Sequence, residues 1–436
     1  MLPPSPAPVA APASCAPDDD AADAHPLDGL ERWASRRPGA LRFAFLPDDD
    51  PSSRAPTQRL TAASLARRVE TTRLALERAL ATTTPTWSPP ASAHRPRPLP
   101  IVGATVLVVF PPGLDHLPAF LAALAAGACA VPAYPPDPAA PVARLRAQLE
   151  HLDAVADAAG ATLALTTRAY RAALRLARGR VAVADARAAA SRALSRRRAR
   201  SDPAADRSAR REGDDRPRKA PRRVRWLAVD AVDASGDVPV ETPGFGRGGF
   251  WFSFGGERDE EKKTPPGLQS RTNFNARARS GRAAFAQFTS GSTSAPKGVL
   301  VGHAHLAANC AAIRRDFEVT AADVCVSWLP QYHDMGLVGT SLVPLTVDVP
   351  AELGALSDSI VHTGMIKNGG GPACACFSPV AFARDPCQWA LVASRVGATM
   401  TQAPNFAFAL LAERWRKLAP FPGGGGTRPP RRGVGF

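Results

Sequence analysis

The sequence predicts an α/β fold built on a layered parallel sheet that low-complexity segments interrupt. Short apolar runs alternate with helical patterns between residues 101 and 167, as expected for strands and helices that follow one another in a parallel sheet. A second set of apolar runs begins at residue 283 and continues to about residue 345. The chain has 436 residues, 45% of them hydrophobic, which is enough for a sizeable core in two or three domains.

The first elements follow a Pro-, Ala- and Asp-rich segment, residues 1–25, that we predict to be disordered. Residues 40–46 predict a strand. Thr61 predicts the cap of a helix whose apolar positions include Leu65 and Val69.

The central run reads as strand, helix and strand. Residues 101–110 are continuously apolar, which is typical of a parallel strand covered on both faces. Helical spacing follows from Leu117 to Leu124, and residues 128–134 predict the next strand. A helix over Leu145, Leu149 and Leu152 and a strand at 161–167 complete this part, so that we assign residues 26–180 to one folded unit.

The pattern breaks after residue 180. Compact domains rarely contain such long stretches without periodicity, so these segments are either disordered insertions or misread sequence. The predicted divisions are a basic low-complexity insert at 181–223, an isolated strand at 224–233, a Gly-, Arg- and Pro-rich linker at 234–282, a second folded part at 283–418 with an atypical stretch at 346–372, and a low-complexity tail at 419–436.

The net charge of +15 is concentrated in the insert. Residues 187–225 contain 15 Arg or Lys and 5 Asp or Glu, so this segment carries +10 and the rest of the chain only +5. Aromatic side chains that could stack on bases are missing from it until Trp226. We therefore predict a solvated insert and no nucleic acid partner.

The seven cysteines are odd in number and scattered, and several lie in apolar runs. This usage fits a reducing, cytoplasmic location better than a disulfide framework. Cys374, Cys376 and Cys387 lack the paired spacing of a zinc site, so no metal site is predicted. No run of about 18 apolar residues predicts a membrane span.

Residues 288–298, Phe-Thr-Ser-Gly-Ser-Thr-Ser-Ala-Pro-Lys-Gly, lie between two strand-like apolar runs. Glycines allow close backbone approach, hydroxyls and N–H groups donate hydrogen bonds, and Lys297 supplies positive charge. The spacing of a Walker loop is absent. This composition predicts a loop that wraps an anion.

A second motif, Trp-Leu-Pro-Gln-Tyr-His-Asp-Met-Gly-Leu, occupies residues 328–337. His333 by itself could be a structural histidine, but its place within this motif favours a site, and Asp334 could either serve a site or cap a helix. His303 and His305 are predicted to begin a helix. The remaining histidines show no pattern of a site: His25, His94, His116, His151 and His362.

Together the two motifs resemble the phosphate loop and acyl-site motif of the adenylate-forming ligases, the AMP-dependent synthetase superfamily. The branch that is most similar is the fatty acyl-AMP ligases, which residues 106–115 with 133–136 and residues 403–408 also resemble. The resemblance covers about 26–180, 224–233, 283–345 and 373–418. It implies the large N-terminal adenylation domain of such a ligase.

The resemblance implies a reaction in which a fatty acid attacks the α-phosphate of ATP, with Mg²⁺, to give an acyl-adenylate. The acyl group would then pass to the phosphopantetheine arm of an acyl carrier protein, or alternatively to coenzyme A. By resemblance, His333 would act where the carboxylate meets the nucleotide. The phosphate contacts would come from Thr289, Ser290, Gly291, Ser292, Thr293, Lys297 and Gly298, and the acyl pocket from Met335, Gly336, Asn405 and Phe406.

Some of the family's pattern is altered or missing. Ser294 stands where the family usually has Gly, and Gly302 where Ser usually precedes the histidine. The later adenine, ribose and lysine motifs are not found, so the domain is predicted to be incomplete and this truncated chain inactive by itself. The alternative is a non-catalytic acyl- or nucleotide-binding or scaffolding derivative.

Overall fold

The computed structural model describes residues 24–52, 55–81, 104–200, 224–231, 282–289, 296–349 and 373–418. The helices in these ranges are α1 (Pro26–Arg36), α2 (Ala62–Ala81), α3 (His116–Ala125), α4 (Val142–Ala159), α5 (Arg168–Arg200), α6 (His303–Asp316), a π-helix (Met335–Leu342), α7 (Val343–Thr346), α8 (Pro379–Arg384), α9 (Cys387–Val396) and α10 (Asn405–Leu418). The strands are β1 (Leu41–Phe45), β2 (Gln58–Thr61), β3 (Thr105–Val108), β4 (Cys129–Pro132), β5 (Leu163–Thr166), β6 (Arg225–Ala228), β7 (Ala283–Thr289), β8 (Lys297–Gly302), β9 (Cys325–Ser327), β10 (Cys374–Cys376) and β11 (Met400–Thr401).

The strands form two sheets. The larger has the order β6-β5-β3-β4-β7-β8, and its pairs are parallel except the antiparallel pair of β7 and β8. The smaller has the order β11-β9-β10-β1-β2, parallel except for β1 with β2. The predicted α/β class with parallel sheets is confirmed.

Neighbouring side chains of one strand belong to different apolar clusters, which shows that each sheet is packed on both faces. Val106 and Val108 of β3 belong to a central cluster, whereas Leu107 packs with α4 and α5 on the other face. Cys374 of β10 also joins the central cluster, whereas Ala375 packs with α8 and α9. Because successive strand residues point to opposite faces, both sheets are covered on both sides, with α1, α2, α3, α6, the π-helix and α7 between them.

Trp33 fastens the C-terminal part of α1 to its neighbours in the central layer. Trp33 Nε1 donates to the carbonyl of Val347 at 3.2 Å. The buried Arg42 guanidinium lies 3.7 Å above the Trp33 ring and donates to the carbonyl of Pro344. Burial lowers the pKa of Arg42 to about 9, so this cation is held by ring and carbonyl contacts rather than by water.

Most of the predicted elements are present. The predicted strands at 40–46, 128–134 and 161–167 correspond to β1, β4 and β5, and Thr61 Oγ1 accepts from the N–H of Ser64 as a helix cap. Residues 101–103 of the first central strand lie outside the described residues.

The structure describes parts of the two segments predicted at 1–25 and 181–223. Ala24 and His25 are buried, and His25 Nε2 lies 3.0 Å from Nδ1 of the buried His303. Helix α5 continues to Arg200, well into the insert predicted at 181–223, because Ala and Arg are both strong helix formers. The rest of 1–25 and 181–223, nearly all of 234–282, residues 350–372 and the tail at 419–436 lie outside the described residues. The predicted domain boundaries stay predictions.

Within the described ranges, helices that combine the length and the apolar character needed to cross a bilayer are not found.

Candidate functional site

The carboxyl ends of strands from both sheets meet at one edge of the molecule. The segments that follow β3 and β4 in the larger sheet face those that follow β1, β9 and β10 in the smaller one, and together they line a cavity of about 570 Å³. In parallel α/β sheets, the crevice outside these carboxyl ends is the usual place for a ligand. The fold therefore marks this edge as the candidate site.

The cavity wall is largely aromatic and proline-rich. The larger sheet contributes Phe110, Pro111, Pro112, Gly113, Tyr134, Pro135, Pro136, Asp137 and Pro138, and the smaller sheet contributes Phe45, Leu329, Pro330, Gln331, Tyr332, Cys376, Phe377 and Pro379. His116, Arg144, Tyr170, Thr340, Val380 and Ala383 complete it. Prolines present apolar surface without a backbone N–H, so the wall suits a ligand with a large apolar part.

Three titratable groups of the wall, His116, Tyr332 and Tyr170, are uncharged at neutral pH. Burial lowers the pKa of His116 to about 3, and it raises the pKa of Tyr332 to about 12 with a smaller contribution from Tyr134. Burial also raises the pKa of Tyr170, whose hydroxyl donates to the carbonyl of Pro136 at 2.5 Å.

His116 is the least satisfied polar group of the wall. Neither ring nitrogen has a hydrogen-bond partner, and the ring stacks on Phe120 with its centroid 6.2 Å away. Its role could not be predicted from the sequence, because a histidine at the first position of an apolar helix carries no spacing signal.

The strand that leads into the predicted phosphate loop is tied to the second motif. Gln287 of β7 donates from its side-chain amide to the carbonyl of Tyr332 at 3.0 Å. The Tyr332 ring meets Tyr134 edge-on, with centroids 5.4 Å apart. Strand β7 therefore converges with the segments that follow β4 and β9. Gln287 was not predicted as a site residue, because its only signal in the sequence is its place two residues before Thr289.

The predicted phosphate loop is described only at its two ends. Thr289 closes β7 and pairs across the sheet with Lys297, the first residue of β8, which is exposed. Gly298 faces Phe288 so closely that an added Cβ would lie 2.8 Å from the ring. Four other predicted phosphate contacts, Ser290, Gly291, Ser292 and Thr293, lie outside the described residues.

His333 and Asp334 lie at the surface just before the π-helix. Their side chains, 63% and 67% exposed, approach to 2.5 Å between Nδ1 and Oδ1. Asp334 also accepts from the N–H of Met335 at 2.7 Å, so it caps the π-helix. Whether His333 takes part in catalysis stays a prediction.

The π-helix is built around Gly336. The hydroxyls of Thr340 and Ser341 donate to its carbonyl at 2.6 and 2.9 Å. An added Cβ on Gly336 would lie 2.9 Å from the carbonyl carbon of Pro330, so only glycine fits there. π-Helical turns are rare in proteins, and those that occur are often found at functional sites.

The residues predicted for the acyl pocket are not among those that line the cavity. Met335 and Gly336 belong to the π-helix behind it, while Asn405 and Phe406 begin α10. Phe406 is 56% exposed and meets Trp328 edge-on at 6.3 Å. Their role in acyl binding stays a prediction.

Clusters of three or more His, Cys, Asp or Glu side chains that could hold a metal ion are absent from the described part of the chain.

A model of the AMP-binding enzyme family matches residues 102–349, more than half of the chain. A medium-chain fatty acid–acyl carrier protein ligase of Teredinibacter turnerae is 38% identical over 130 residues, which are 30% of this chain and 17% of that protein. Its namesake in Moorena producens is 25% identical over 302 residues, 69% of this chain and 35% of that protein.

The fold is shared with a solved fatty acyl-adenylate ligase from L. pneumophila, crystallised in complex with acyl adenylate and pyrophosphate. The TM-score is 0.54 at 20% identity, over 91% of this chain and 47% of that one. The chain thus spans less than half the length of each of these proteins. The resemblance deduced from the motifs is confirmed, and the chain belongs to the AMP-binding enzyme family.

Proposed function

We propose that this chain is the part of a fatty acid-activating ligase that holds the phosphates of ATP and positions the acyl carboxylate. The observation that carries the proposal is the convergence at one sheet edge. Gln287 joins the strand before the phosphate loop to the carbonyl of Tyr332, next to His333, beside an apolar cavity.

The reaction would couple a fatty acid to ATP. A carboxylate oxygen attacks the α-phosphorus, the bond to the bridging oxygen breaks, and pyrophosphate leaves with its electron pair. Negative charge builds up on the phosphates, so positioning and electrostatic stabilisation provide most of the catalysis. Lys297 and the N–H groups around Thr289 and Gly298 would supply that stabilisation.

Mg²⁺ would accompany the nucleotide. In phosphoryl-transfer sites it is usually held by the phosphates and only one or two protein carboxylates, a donor set smaller than the three-residue clusters that the described residues lack. When bound, it would neutralise charge on the phosphates.

The acceptor of the acyl group is proposed to be a carrier-protein thiol, since relatives from two organisms are named as acyl carrier protein ligases. Coenzyme A is the alternative acceptor. The fatty acid is the proposed substrate because the cavity wall is apolar and aromatic. A cytoplasmic location stays a prediction, and it agrees with the free thiols of the six described cysteines.

The test is ATP–pyrophosphate exchange with fatty acids of several chain lengths. Exchange that requires the fatty acid and falls about a hundredfold in Lys297→Ala, the loss typical of removing one stabilising donor, would show that this chain activates the acid without the missing later motifs. Lys417→Ala is the matched control, because Lys417 pairs only with Glu413 on the exposed face of α10 in the described contacts.

A binding measurement distinguishes the ligase from the alternative, a non-catalytic acyl- or nucleotide-binding derivative. If a fluorescent fatty acid binds and ATP changes its affinity while exchange equals that of Lys297→Ala, the chain is a binding derivative. If neither binding nor exchange is found, the proposed function is wrong.

A further inference from the structure

The cavity wall contains one cysteine of the six that the structure describes. Cys376 ends β10 and lines the cavity beside Phe45 and Phe377. Its residual exposure of 7% contrasts with 2% or less for the other five, which do not line the cavity: Cys129, Cys310, Cys325, Cys374 and Cys387. Among the described cysteines, a reagent that enters the cavity therefore meets this thiol alone.

A second thiol supports Cys376 from behind. Cys374, two residues earlier on the same strand, has its Sγ 3.4 Å from Cys376 Sγ and is fully buried. It also lies opposite Cys325 of β9 in the parallel register. Hydrogen bonds to Cys325 and Cys376, together with burial, raise the pKa of the Cys374 thiol. Cys374 is therefore a poor nucleophile, and of the two cysteines of β10 only Cys376 lines the cavity.

The surroundings select the kind of reagent that reaches Cys376. The inner wall is apolar and aromatic, and its His116 and Tyr332 side chains are neutral near pH 7. The charged side chains among the lining residues, Asp137 and Arg144, are exposed and lie toward solvent. Moving a charge into such a wall is unfavourable without a partner. A neutral reagent is favoured.

We propose that Cys376 is a covalent modification site that forms a mixed disulfide with a neutral, apolar disulfide bound in the cavity. This inference goes beyond acyl activation and does not depend on it. The Cys376 thiol first loses its proton to water or buffer. The resulting thiolate attacks one sulfur of the disulfide R–S–S–R. The S–S bond breaks, Cys376–S–S–R forms, and R–S⁻ leaves with the electron pair and takes up a proton. The cysteine is oxidised and the reagent reduced.

The mixed disulfide is the expected end product. An internal Cys374–Cys376 disulfide would join residues two apart on an extended strand, about 6.6–7.2 Å between Cα atoms, at or beyond the upper limit for an unstrained bridge. Strand β10 is held in that form by parallel pairing with β1 on one side and β9 on the other. The adduct therefore stays in the cavity until an external thiol removes it.

The experiment compares two disulfides on the full chain carrying Cys15→Ser, since Cys15 lies outside the described residues. Neutral dipyridyl disulfide is the probe, and the dianionic bis(nitrobenzoate) disulfide is the charged comparison. We expect the neutral probe to label Cys376, identified by peptide mass spectrometry, at least about tenfold faster than Cys310 or Cys129, which react only after the structure opens. The dianionic disulfide should react at Cys376 about tenfold more slowly.

Two tryptophan variants test the route through the cavity. Ala383 lines the cavity and is exposed on α8, so Ala383→Trp should slow the labelling of Cys376 at least about fivefold by filling the entrance. Ala190→Trp on the exposed part of α5 is the matched control and should leave the rate unchanged. Cys376→Ser should remove the fast-reacting equivalent.

The proposal is overturned if Cys376 reacts no faster than Cys310, because labelling would then follow global opening. It is also overturned if charged and neutral reagents react equally, or if a Cys374–Cys376 bridge replaces the adduct. The reagent comparison uses no cavity variant, so a variant that fails to fold cannot leave the proposal undecided.

Discussion

Gly29 is the position in α1 where an added methyl group has the clearest consequence. A Cβ built on Gly29 would lie 2.8 Å from the carbonyl carbon of Leu345 and closer still to its oxygen. Real Cβ atoms essentially never come within 3.0 Å of a neighbour, and the obstacle is backbone of α7 that cannot rotate away. In Gly29→Ala, α1 must therefore move outward by a large fraction of an ångström, which disturbs the Trp33 bond to Val347.

The expected loss follows from two opposing effects. Overpacking of a core typically costs about 1–3 kcal/mol, and a rigid backbone obstacle places this site near the upper end. Alanine regains about 1 kcal/mol because it favours a helix more than glycine does. We therefore expect Gly29→Ala to lower the free energy of unfolding by about 2 kcal/mol, measured by guanidinium denaturation followed by circular dichroism.

Gly179 provides the matched control within the same protein. It also lies inside a helix, α5, but no atom comes within 4 Å of an added Cβ. Only helix propensity should act, so Gly179→Ala should raise the free energy of unfolding by up to about 1 kcal/mol. The reasoning is refuted if the two variants differ by less than about 0.5 kcal/mol, the usual scatter of surface substitutions.

Two further substitutions test polar groups near the site. His116 has its pKa lowered from 6.5 to about 3, so the unfolded chain binds the extra proton and stability should fall as pH drops from 6.5 toward 3, by up to about 1.4 kcal/mol per pH unit. His116→Phe should flatten this slope in denaturation curves at several pH values, and an unchanged slope would show that other groups cause it. Asp334→Ala should destabilise the protein by about 1 kcal/mol through loss of the π-helix cap, whereas Asp334→Asn keeps an accepting oxygen and should recover most of the loss. Equal thermal midpoints for the alanine variant and wild type would rule out capping.

The larger sheet was predictable because its strands carry a strong signal. β3, β4 and β5 are mostly apolar, buried at every position and separated by helical patterns. Such runs are expected only where helices cover both faces of a sheet. The phosphate loop was recognisable because the antiparallel pair β7 and β8 flanks it with apolar residues on both sides.

The smaller sheet was mostly beyond prediction. β9, β10 and β11 have only two or three residues each, too few for a two-residue period to appear in the sequence. The π-helix was also missed, because the bonds from the Thr340 and Ser341 hydroxyls to the carbonyl of Gly336 have no recognisable sequence pattern.

Only some of the residues that line the cavity could be predicted from the sequence. The motifs at 106–115 and 133–136 include residues that line the cavity, but Cys376 and Phe45 join them through sheet pairing across the chain. No sequence pattern reports that His116 is buried without partners, since its neighbours Phe110 and Phe120 meet it only after folding.

Strand β1 can pair with β10 only after the ribosome has synthesised β10. Phe43 lies opposite Cys374, roughly 330 residues later, and at about 5–20 residues per second the ribosome needs some 15–70 seconds to cover that distance. During this interval the apolar residues of β1 and β2 have no partner strand on the β10 side. The nascent N-terminal hairpin is therefore the segment that most needs chaperone protection, and premature pairing of its open edge with another nascent chain is the characteristic hazard of this topology.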